Sequence, residues 1–504
     1  MKKLLLLPFP VLLLFCLSCG VSRKSFNPER KYSPEELRKD YQLFRHILED
    51  LHPSLYWYIS RDSMNYFFDK GYAELKDSMT EPQFRTTLSY VISKVRCGHT
   101  SIRYSKPYGK FLDTAKFSQF PLILKFWADT MVVAANLNRK DSILKRGTVI
   151  ESINGWTMPQ LRDTLFNYIV TDGNNLTGKY QYLSTGLNFS YWFKSVIGYS
   201  DQFTIDYLDS NRVLKETHIP LYDPKADTSS RRRRQPMPGR PAPEPGRRTR
   251  KKREAFLTRN LQIDSATNTA FMTLNTFENG NHLVRFFHRS FRTLDEQNVR
   301  NLVIDVRSNG GGDATNSTLL TRYIINKKFK VADSLYAIRR HSPYDKYIGQ
   351  GLLYDFLTTV VSRKRKDGKF HYRRFEKHYF HPKEKHHFDG QVYVLTGGNS
   401  FSATCLFAGA IKGQKNVTIV GEETGGGYYG NTAWMIPDVT LPLTRVRFRL
   451  PRFRLVVNKD QEKNGLGVLP DVAAPPTVDA ILKGLDFKTA KVKELIRSQA
   501  TVKK

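Results

Sequence analysis

Hydrophobic residues recur along the start of the chain at the spacing of a helix that buries one face. The apolar positions follow at three- and four-residue intervals and are Leu37, Tyr41, Phe44 and Leu48. This period predicts an amphipathic helix, and Ser33, followed by Pro34 and two glutamates, has the composition of its N-terminal cap. Residues 81–95 repeat the pattern. The chain from 33 to 105 is therefore predicted to form a small helical bundle.

The next segment alternates in a way that is typical of β-strands. Short β-rich runs occupy 120–124 and 131–134, and the stretch 147–155, GTVIESING, combines a strand with a tight Asn-Gly turn. A helical pattern follows from 158 to 168. This order resembles a PDZ-like domain, which binds extended peptide ends at a sheet edge. The alternative is another small β domain that contains the same hairpin.

The last part of the chain changes to alternating strands and helices. Apolar runs at 270–274, 302–306, 392–396 and 417–420 are separated by segments of helix length. Such a pattern predicts α/β architecture around a largely buried sheet. In sheets of this kind the active groups gather at the ends of the strands.

Three turns at predicted strand ends attract attention. Gly310, Gly311 and Gly312 follow the second of these strands, and no Lys-Ser/Thr comes after them, which disfavours a nucleotide P-loop. Their backbone N–H groups suit an oxyanion hole instead. The stretch 398–407, GNSFSATCLF, predicts strand, turn and helix, with a serine hydroxyl at the helix start as nucleophile or as cap. A third glycine-rich turn covers 421–427.

A nucleophilic serine needs a base, which sequence separation does not restrict. His99 stands just past a predicted helix in the stretch RCGHT. The histidines from 371 to 387 lie among Lys and Arg, which favours a solvated surface over a metal site. Cys97 and Cys405 lack metal-ligand spacing and are interpreted as buried thiols, with a disulfide as the alternative. No cofactor is predicted.

Taken in order, RCGHT, LVIDVRSNGGG, NSFSATCLFAGAIK and IVGEETGGG, with a PDZ-like segment after the first, resemble the S41 family of serine peptidases. That family includes the tail-specific (C-terminal processing) proteases and the tricorn core protease, and lipoprotein forms of Bacteroidetes look most similar. The resemblance extends from about 35 to 485. It implies an α/β multidomain protein with an N-terminal helical bundle, a PDZ-like β domain and a ClpP/crotonase-like catalytic domain.

The resemblance also implies roles for single residues. Ser402 matches the nucleophile, and the N–H of Ala403 matches one oxyanion donor. Gly311 matches the second donor, with Gly310 as a neighbouring possibility. His99 matches the base of the tricorn-like branch. Gly427 stands where the tail-specific branch carries its catalytic lysine, so a Ser/Lys dyad is excluded by residue type.

The orienting acid is the weakest match to the pattern. Gly467 to Asp471 fit the ending that follows a catalytic glutamate in tricorn-like enzymes, but the glutamate position holds Asn464. Glu462, two residues earlier, is the predicted acid, and an amide at Asn464 is an alternative because an amide can also orient an imidazole. Glu422 and Asp313 remain further candidates, as a surface carboxylate and a helix cap if they are not catalytic.

The amino terminus predicts export. Met1-Lys2-Lys3 and the apolar run to Leu17 have the form of a signal peptide, and Ser18-Cys19 resembles a lipoprotein processing site with Cys19 as the lipid-bearing residue. An unlipidated signal peptide or an uncleaved anchor is the alternative. The residues after Cys19 carry no acidic tag, which favours a membrane-anchored lipoprotein of the cell envelope that faces the periplasm.

The formal net charge of +33 is partly concentrated in one segment. Residues 228–253 contain eleven Arg or Lys and one acid, Glu244, with many prolines, which predicts a disordered linker. No helix carries a reading face for bases, so no specific nucleic acid partner is predicted. The predicted division of the chain is a signal peptide at 1–19, a tether at 20–32, a helical domain at 33–105, a PDZ-like domain at 106–222, a basic linker at 223–256, a catalytic domain at 257–485 and a basic C-terminal tail at 486–504.

The predicted function is hydrolysis of peptides or proteins in the cell envelope through an acyl-enzyme. An inactive peptide- or lipid-binding lipoprotein on the same scaffold is the main alternative, and a surface anchor for anionic polymers is another. The sequence leaves the oligomeric state open.

Overall fold

A computed structural model describes residues 26–226 and 247–502, with the side chains of 247–252 and 500–502 left out of the description. The predicted signal peptide with Cys19 and most of the predicted basic linker lie outside the described residues. Within the described parts the protein is mixed α/β.

Helices predominate near the start of the described chain and alternate with strands in its second half. They span Pro34–Leu51, Arg61–Ala73, Glu81–Ser93, Lys106–Leu112, Met158–Leu165, Leu176–Leu183, Asn188–Val196, Arg247–Thr258, Leu283–Glu296, Ala314–Arg322, Gly351–Val361, Arg373–Lys377, Ala403–Ile411, Val478–Lys483 and Phe487–Val502, with a 3₁₀ turn at Asp345–Tyr347. Ser33 caps the first helix in a reciprocal capping box with Glu36, as the sequence predicted.

The strands are numbered in chain order. They are β1 (Lys31–Tyr32), β2 (Met79–Thr80), β3 (Ile102–Arg103), β4 (Leu122–Trp127), β5 (Thr130–Asn136), β6 (Val149–Ile153), β7 (Trp156–Thr157), β8 (Gln202–Leu208), β9 (Leu214–Pro220), β10 (Arg259–Asp264), β11 (Thr269–Leu274), β12 (Asn301–Asp305), β13 (Ser334–Ala337), β14 (Arg363–Lys364), β15 (Phe370–His371), β16 (Gln391–Thr396), β17 (Val417–Gly421), β18 (Gly430–Trp434), β19 (Asp438–Thr440), β20 (Arg447–Arg449), β21 (Phe453–Val456) and β22 (Val472–Ala473). The strands predicted from the apolar runs are confirmed.

The main sheet has the strand order β10-β11-β12-β16-β17-β22. All neighbours from β11 onward are parallel, and only the edge pair β10-β11 is antiparallel. Parallel strands end at the same edge of a sheet, so the turns after β12, β16 and β17 lie side by side. These are the three glycine- and serine-bearing turns that the sequence singled out.

Both faces of this sheet are covered by helices, which explains why its strands are apolar at successive positions. One face packs against the helices Leu283–Glu296, Ala314–Arg322 and Ala403–Ile411. The other packs against Phe487–Val502, whose Val492 and Ile496 are buried on Val303, Tyr393 and Leu395. The segment predicted as a basic tail, 486–504, thus contains a helix whose apolar residues, at helical spacing between its lysines, pack on the sheet.

The first helices do not form a core of their own. Their buried side chains pack together with Val439, Leu441, Val446 and Phe448, from the distant segment that holds β19 and β20. Strand β3 extends the pair β19-β20 into a three-stranded sheet. This contact brings the chain around residue 99 to the second half of the protein.

The middle segment has a separate core. Strands β4-β5-β6-β8-β9 form an antiparallel sheet, with β7 paired to β6, and the buried residues between Phe120 and Ile219 pack against one another. Two further sheets are the antiparallel pair β1-β2 and the five-stranded sheet β14-β15-β13-β21-β18. None of the helices within 26–226 and 247–502 combines the length and apolar content needed to cross a bilayer.

Candidate active site

Ser402 lies in a strained turn at the edge of the main sheet. It follows β16, directly precedes the helix Ala403–Ile411, and has φ 55° and ψ −118°. A non-glycine residue in such a conformation costs about 1–3 kcal/mol, and strain of this kind clusters at functional sites. The turn leaves Ser402 half-buried at the positive end of a helix. The strand, turn and helix predicted from GNSFSATCLF are confirmed.

Ser400, the other serine of this turn, is buried and hydrogen-bonded within the protein. Its side chain is fully buried, its Oγ donates to the carbonyl of Val306 at 2.8 Å, and the N–H of Gly397 donates to the same Oγ at 3.2 Å. These bonds join the ends of β12 and β16. Because its hydroxyl is committed and sealed from solvent, Ser400 is not placed to attack a substrate.

The glycine turn after β12 lies directly against Ser402. The carbonyl of Asn309 accepts hydrogen bonds from the N–H of Phe401 at 3.1 Å and from the Thr404 hydroxyl at 2.9 Å. A Cβ on Gly311 would lie 2.7 Å from the Cβ of Ser402 and 3.0 Å from the nitrogen of Ala403. Gly311 also has φ 101°, so both its backbone conformation and its surroundings require glycine.

The backbone donors around Ser402 differ in their availability. Within the described residues, the N–H groups of Ala403 and Gly310 have no acceptor. The N–H of Gly311 instead donates to Oδ1 of Asn309 at 2.9 Å. The structure therefore offers the Ala403 and Gly310 N–H groups to a developing oxyanion, and the Gly311 N–H becomes available only if Asn309 releases it.

His99 is carried to this site by the loop that follows the helix Glu81–Ser93. The imidazole is buried and stacks on the ring of Phe401, with the ring centroids 4.6 Å apart. Gly98 permits this approach, because a Cβ there would lie 2.6 Å from the Phe401 ring. Neither ring nitrogen of His99 has a hydrogen-bond partner within the described residues. Catalytic hydrogen bonds are often long in structures without substrate.

Asp172 lies beside His99 and was not predicted. Its Oδ1 is 3.8 Å from Nδ1 of His99, and both side chains are almost fully buried. The carboxylate accepts the N–H of Gly98 at 2.8 Å and that of Gly427 at 3.3 Å. Burial alone would raise the pKa of Asp172, but the adjacent His99 and the two N–H donors outweigh it, so the pKa is lowered. The acid is held as an anion behind the imidazole.

The carboxylates proposed from sequence lie elsewhere. Glu462 is exposed and accepts a hydrogen bond from Nδ2 of Asn464, itself exposed, at 3.3 Å. Glu422 pairs with Lys488, whose Nζ is 2.7 Å away. Asp313 caps the helix Ala314–Arg322 by accepting the N–H of Thr315. The structure places Asp172, and not Glu462, beside His99.

One signal in the sequence pointed to Asp172. Thr171-Asp172-Gly173-Asn174 is a polar turn directly after an apolar run. On sequence alone, this turn was placed in the predicted PDZ-like domain and was not connected with the active site. Its position became meaningful only because the N–H of Gly173 binds the carbonyl of Arg96 at 2.9 Å, next to Gly98 and His99. Cys97 and Cys405 are buried free thiols, so the disulfide alternative is not realised.

A serine at a strained strand-to-helix turn, a buried histidine next to a carboxylate and two open backbone donors are the kinds of group that serine hydrolases combine. The family model for peptidase family S41 matches residues 268–474, a range that contains Gly311 and Ser402. This match identifies residues 268–474 as a peptidase family S41 domain, the catalytic unit of a serine peptidase. A search of the curated proteins found no match.

Solved structures with the same overall fold include mature CPAF, with 14% sequence identity, a TM-score of 0.59, and coverage of 92% of this chain and 97% of that chain. A mutant of CPAF has 13% identity, a TM-score of 0.61 and the same coverage. Mature CPAF complexed with lactacystin has 13% identity, a TM-score of 0.59, and coverage of 93% and 98%. At these identities the likeness concerns the fold.

Proposed function

We propose that the protein hydrolyses peptide bonds through a covalent acyl-enzyme on Ser402, with His99 as base and Asp172 as the residue that orients it. The observation that carries this proposal is the convergence of a strained serine, an imidazole stacked on the ring of the preceding residue, Phe401, and a buried carboxylate 3.8 Å from that imidazole. These groups come from three separate parts of the chain, and a packing role for Ser402 would not require its strained backbone.

The proposed reaction follows the acyl-transfer sequence. His99 takes the hydroxyl proton of Ser402 while Oγ attacks the peptide carbonyl carbon, and the N–H groups of Ala403 and Gly310 stabilise the oxyanion. The imidazolium then gives its proton to the leaving amine, which breaks the peptide bond. Water, activated by His99, releases the acyl group. Asp172 stabilises the imidazolium and stays ionised throughout.

Three further parts of the proposal concern the rest of the chain. The antiparallel sheet of residues 122–220 acts as a PDZ-like unit that docks an extended peptide near the site. The helices Pro34–Leu51, Arg61–Ala73 and Glu81–Ser93, which precede His99, form the N-terminal helical bundle of this proposal. Cys19 carries a lipid that anchors the enzyme in the cell envelope, facing the periplasm. Cys19→Ser should abolish incorporation of an alkyne-tagged fatty acid in cells and Cys16→Ser should not, and equal labelling of both variants would contradict this anchor.

Peptide hydrolysis tests the proposal directly. The full chain is incubated with a peptide pool, and new peptide termini are counted by mass spectrometry for wild type, Ser402→Ala and the surface control Ser210→Ala. We expect new termini from wild type and Ser210→Ala, and none above background from Ser402→Ala. Absence of cleavage by folded wild type would favour the peptide-binding alternative, and cleavage by Ser402→Ala would refute the assignment of the nucleophile.

A further inference from the structure

A cavity of about 500 Å³ opens beside the proposed nucleophile. It is bounded on one side by the active-site turns and on the other by the helices before and after the Thr171 turn. Its lining includes Gly310, Phe401, Gly98, Ile92, Trp192 and Arg85. A cavity that touches both the oxyanion turn and the ring next to Ser402 is the place where a substrate side chain near the scissile bond would lie.

Arg85 is the charged group of this cavity wall. Its side chain is half-buried, and its guanidinium lies 4.6 Å from the ring centroid of Tyr104, 5.1 Å from that of Tyr191 and 5.7 Å from that of Trp192. Aromatic faces attract a cation but do not neutralise it. They hold the guanidinium in place and exclude water from around it.

The hydrogen bonds of Arg85 are all to neutral groups. Its Nη1 donates to the Tyr191 hydroxyl, its Nη2 donates to the carbonyl of Ile102 at 3.4 Å, and its Nε is buried without a partner. Within the described residues Arg85 forms no direct ion pair, although its charge acts on Glu81 and opposes the rise that burial gives the pKa of that carboxyl. Glu81, one helical turn earlier, is bound through both oxygens to Ser105, at 2.6 and 2.8 Å.

A partly desolvated cation without a direct ion pair is stabilised by a ligand that brings a carboxylate into hydrogen-bond contact with it. The rest of the cavity wall is mixed: Ile92, Ile169, Tyr168 and Trp192 form an apolar part, and the small polar residues, which carry no charge, are Ser89, Ser101, Thr171, Ser308 and Asn399. Such walls accept the methylene groups of a side chain, while a guanidinium binds the carboxylate at its end. A neutral aromatic side chain would fill the volume and leave Arg85 unpaired.

We propose that this cavity is the specificity site of the peptidase and that Arg85 selects substrates that place a carboxylate in it. The proposal rests on the proposed function of Ser402. The carboxylate is that of a Glu or Asp side chain or that of a substrate C-terminus, since both present the same group. The positive formal net charge of the chain draws such substrates towards the site.

Two probes that differ in one group test this selection. Diphenyl phosphonates that modify active-site serines are prepared with a glutamate-like and a glutamine-like side chain, and their labelling rates at Ser402 are compared. For wild type, we expect the carboxylate probe to react about 10- to 100-fold faster, the range that a charge-assisted hydrogen bond supports. Arg85→Gln should remove the preference and Arg85→Lys should keep part of it.

The matched control is Arg103→Gln, because Arg103 is an exposed arginine that pairs with Asp438 outside the cavity. It should keep the full wild-type preference. A second arm separates the two sources of the carboxylate: short peptides with a free C-terminus and with an amidated C-terminus compete with a fluorophosphonate for Ser402. Protection by the free terminus that Arg85→Gln abolishes would assign the terminal carboxylate instead of the side chain.

The two hypotheses fail in different ways. If a fluorophosphonate, which has no specificity group, does not label Ser402 of folded wild type, the proposed function fails and this inference with it. If Ser402 labels but neither arm depends on Arg85, the specificity proposal alone is overturned. If thermal unfolding shows that Arg85→Gln does not fold, Arg85→Lys is used in its place. An Arg85→Lys protein with the wild-type preference for the carboxylate probe and the wild-type protection by the free C-terminus would overturn the proposal.

Discussion

Replacement of Asp172 by asparagine tests the proposed role of Asp172 as the acid beside His99, which was seen in the structure and not predicted from the sequence. Asp172→Asn keeps the size and one oxygen of the side chain but removes the negative charge 3.8 Å from Nδ1 of His99. Two unit charges at this distance attract by about 4 kcal/mol at an effective dielectric constant near 20. If that attraction develops when His99 becomes imidazolium, kcat/KM should fall about a thousandfold.

The assay is hydrolysis of one fluorogenic peptide, with thermal unfolding measured in parallel to show that the variant is folded. Glu462→Gln is the matched control, because it makes the same chemical change on the exposed carboxylate that the sequence had favoured. We expect it to change kcat/KM by less than about twofold, as is usual for surface substitutions. A large loss in Glu462→Gln with near-normal activity in Asp172→Asn would refute the assignment of the acid.

Further predictions concern the glycine turn, the last helix and the half-buried carboxylate of Asp345. Gly311→Ala should lower kcat/KM at least about a hundredfold, because its Cβ would lie 2.7 Å from the Cβ of Ser402. Gly109→Ala is the control, since its Cβ would lie in open space, and it should keep the wild-type kcat/KM. Equal kcat/KM values for the two variants would contradict the close packing of Gly311 on Ser402. Lys488→Met should lower the free energy of unfolding by about 2–4 kcal/mol in denaturant titrations, since it breaks a buried pair with Glu422, and unchanged stability would contradict a stabilising role for this pair. Burial raises the pKa of Asp345 to about 6, so this group favours the folded state when protonated and loses that contribution as pH rises from about 4 to 6. The unfolding temperature of Asp345→Asn relative to wild type should therefore rise between pH 4.5 and 6.5, and a fall would contradict the sign.

The nucleophile and the oxyanion turn could be predicted from sequence because their signals are local. Ser402 and Gly311 each follow an apolar strand within a few residues, and parallel strands bring their following turns to one edge. The strand-and-turn pattern alone does not distinguish Ser400 from Ser402, and it was the resemblance to the S41 family that selected Ser402. The physical difference between the two serines, a positive φ at Ser402 and a hydrogen bond from Ser400 to Val306, is visible only in the folded chain.

The acid could not be predicted because it depends on how distant segments pack. Asp172 reaches His99 through backbone contacts of Gly98 and Gly427, which lie 74 and 255 residues from it along the chain. Glu462 was chosen for its place in a motif, yet the loop that carries it points the carboxylate to solvent. The C-terminal helix was missed for a related reason, since its lysines masked the spacing of Val492 and Ile496.

Mapping of a fluorophosphonate adduct tests the central claim most directly. Wild-type protein is labelled, digested and analysed by tandem mass spectrometry, and the experiment is repeated with His99→Ala. The account predicts a single adduct on Ser402 in wild type and its loss without His99. An adduct on Ser400, or labelling of Ser402 that persists at the same rate without His99, would contradict it.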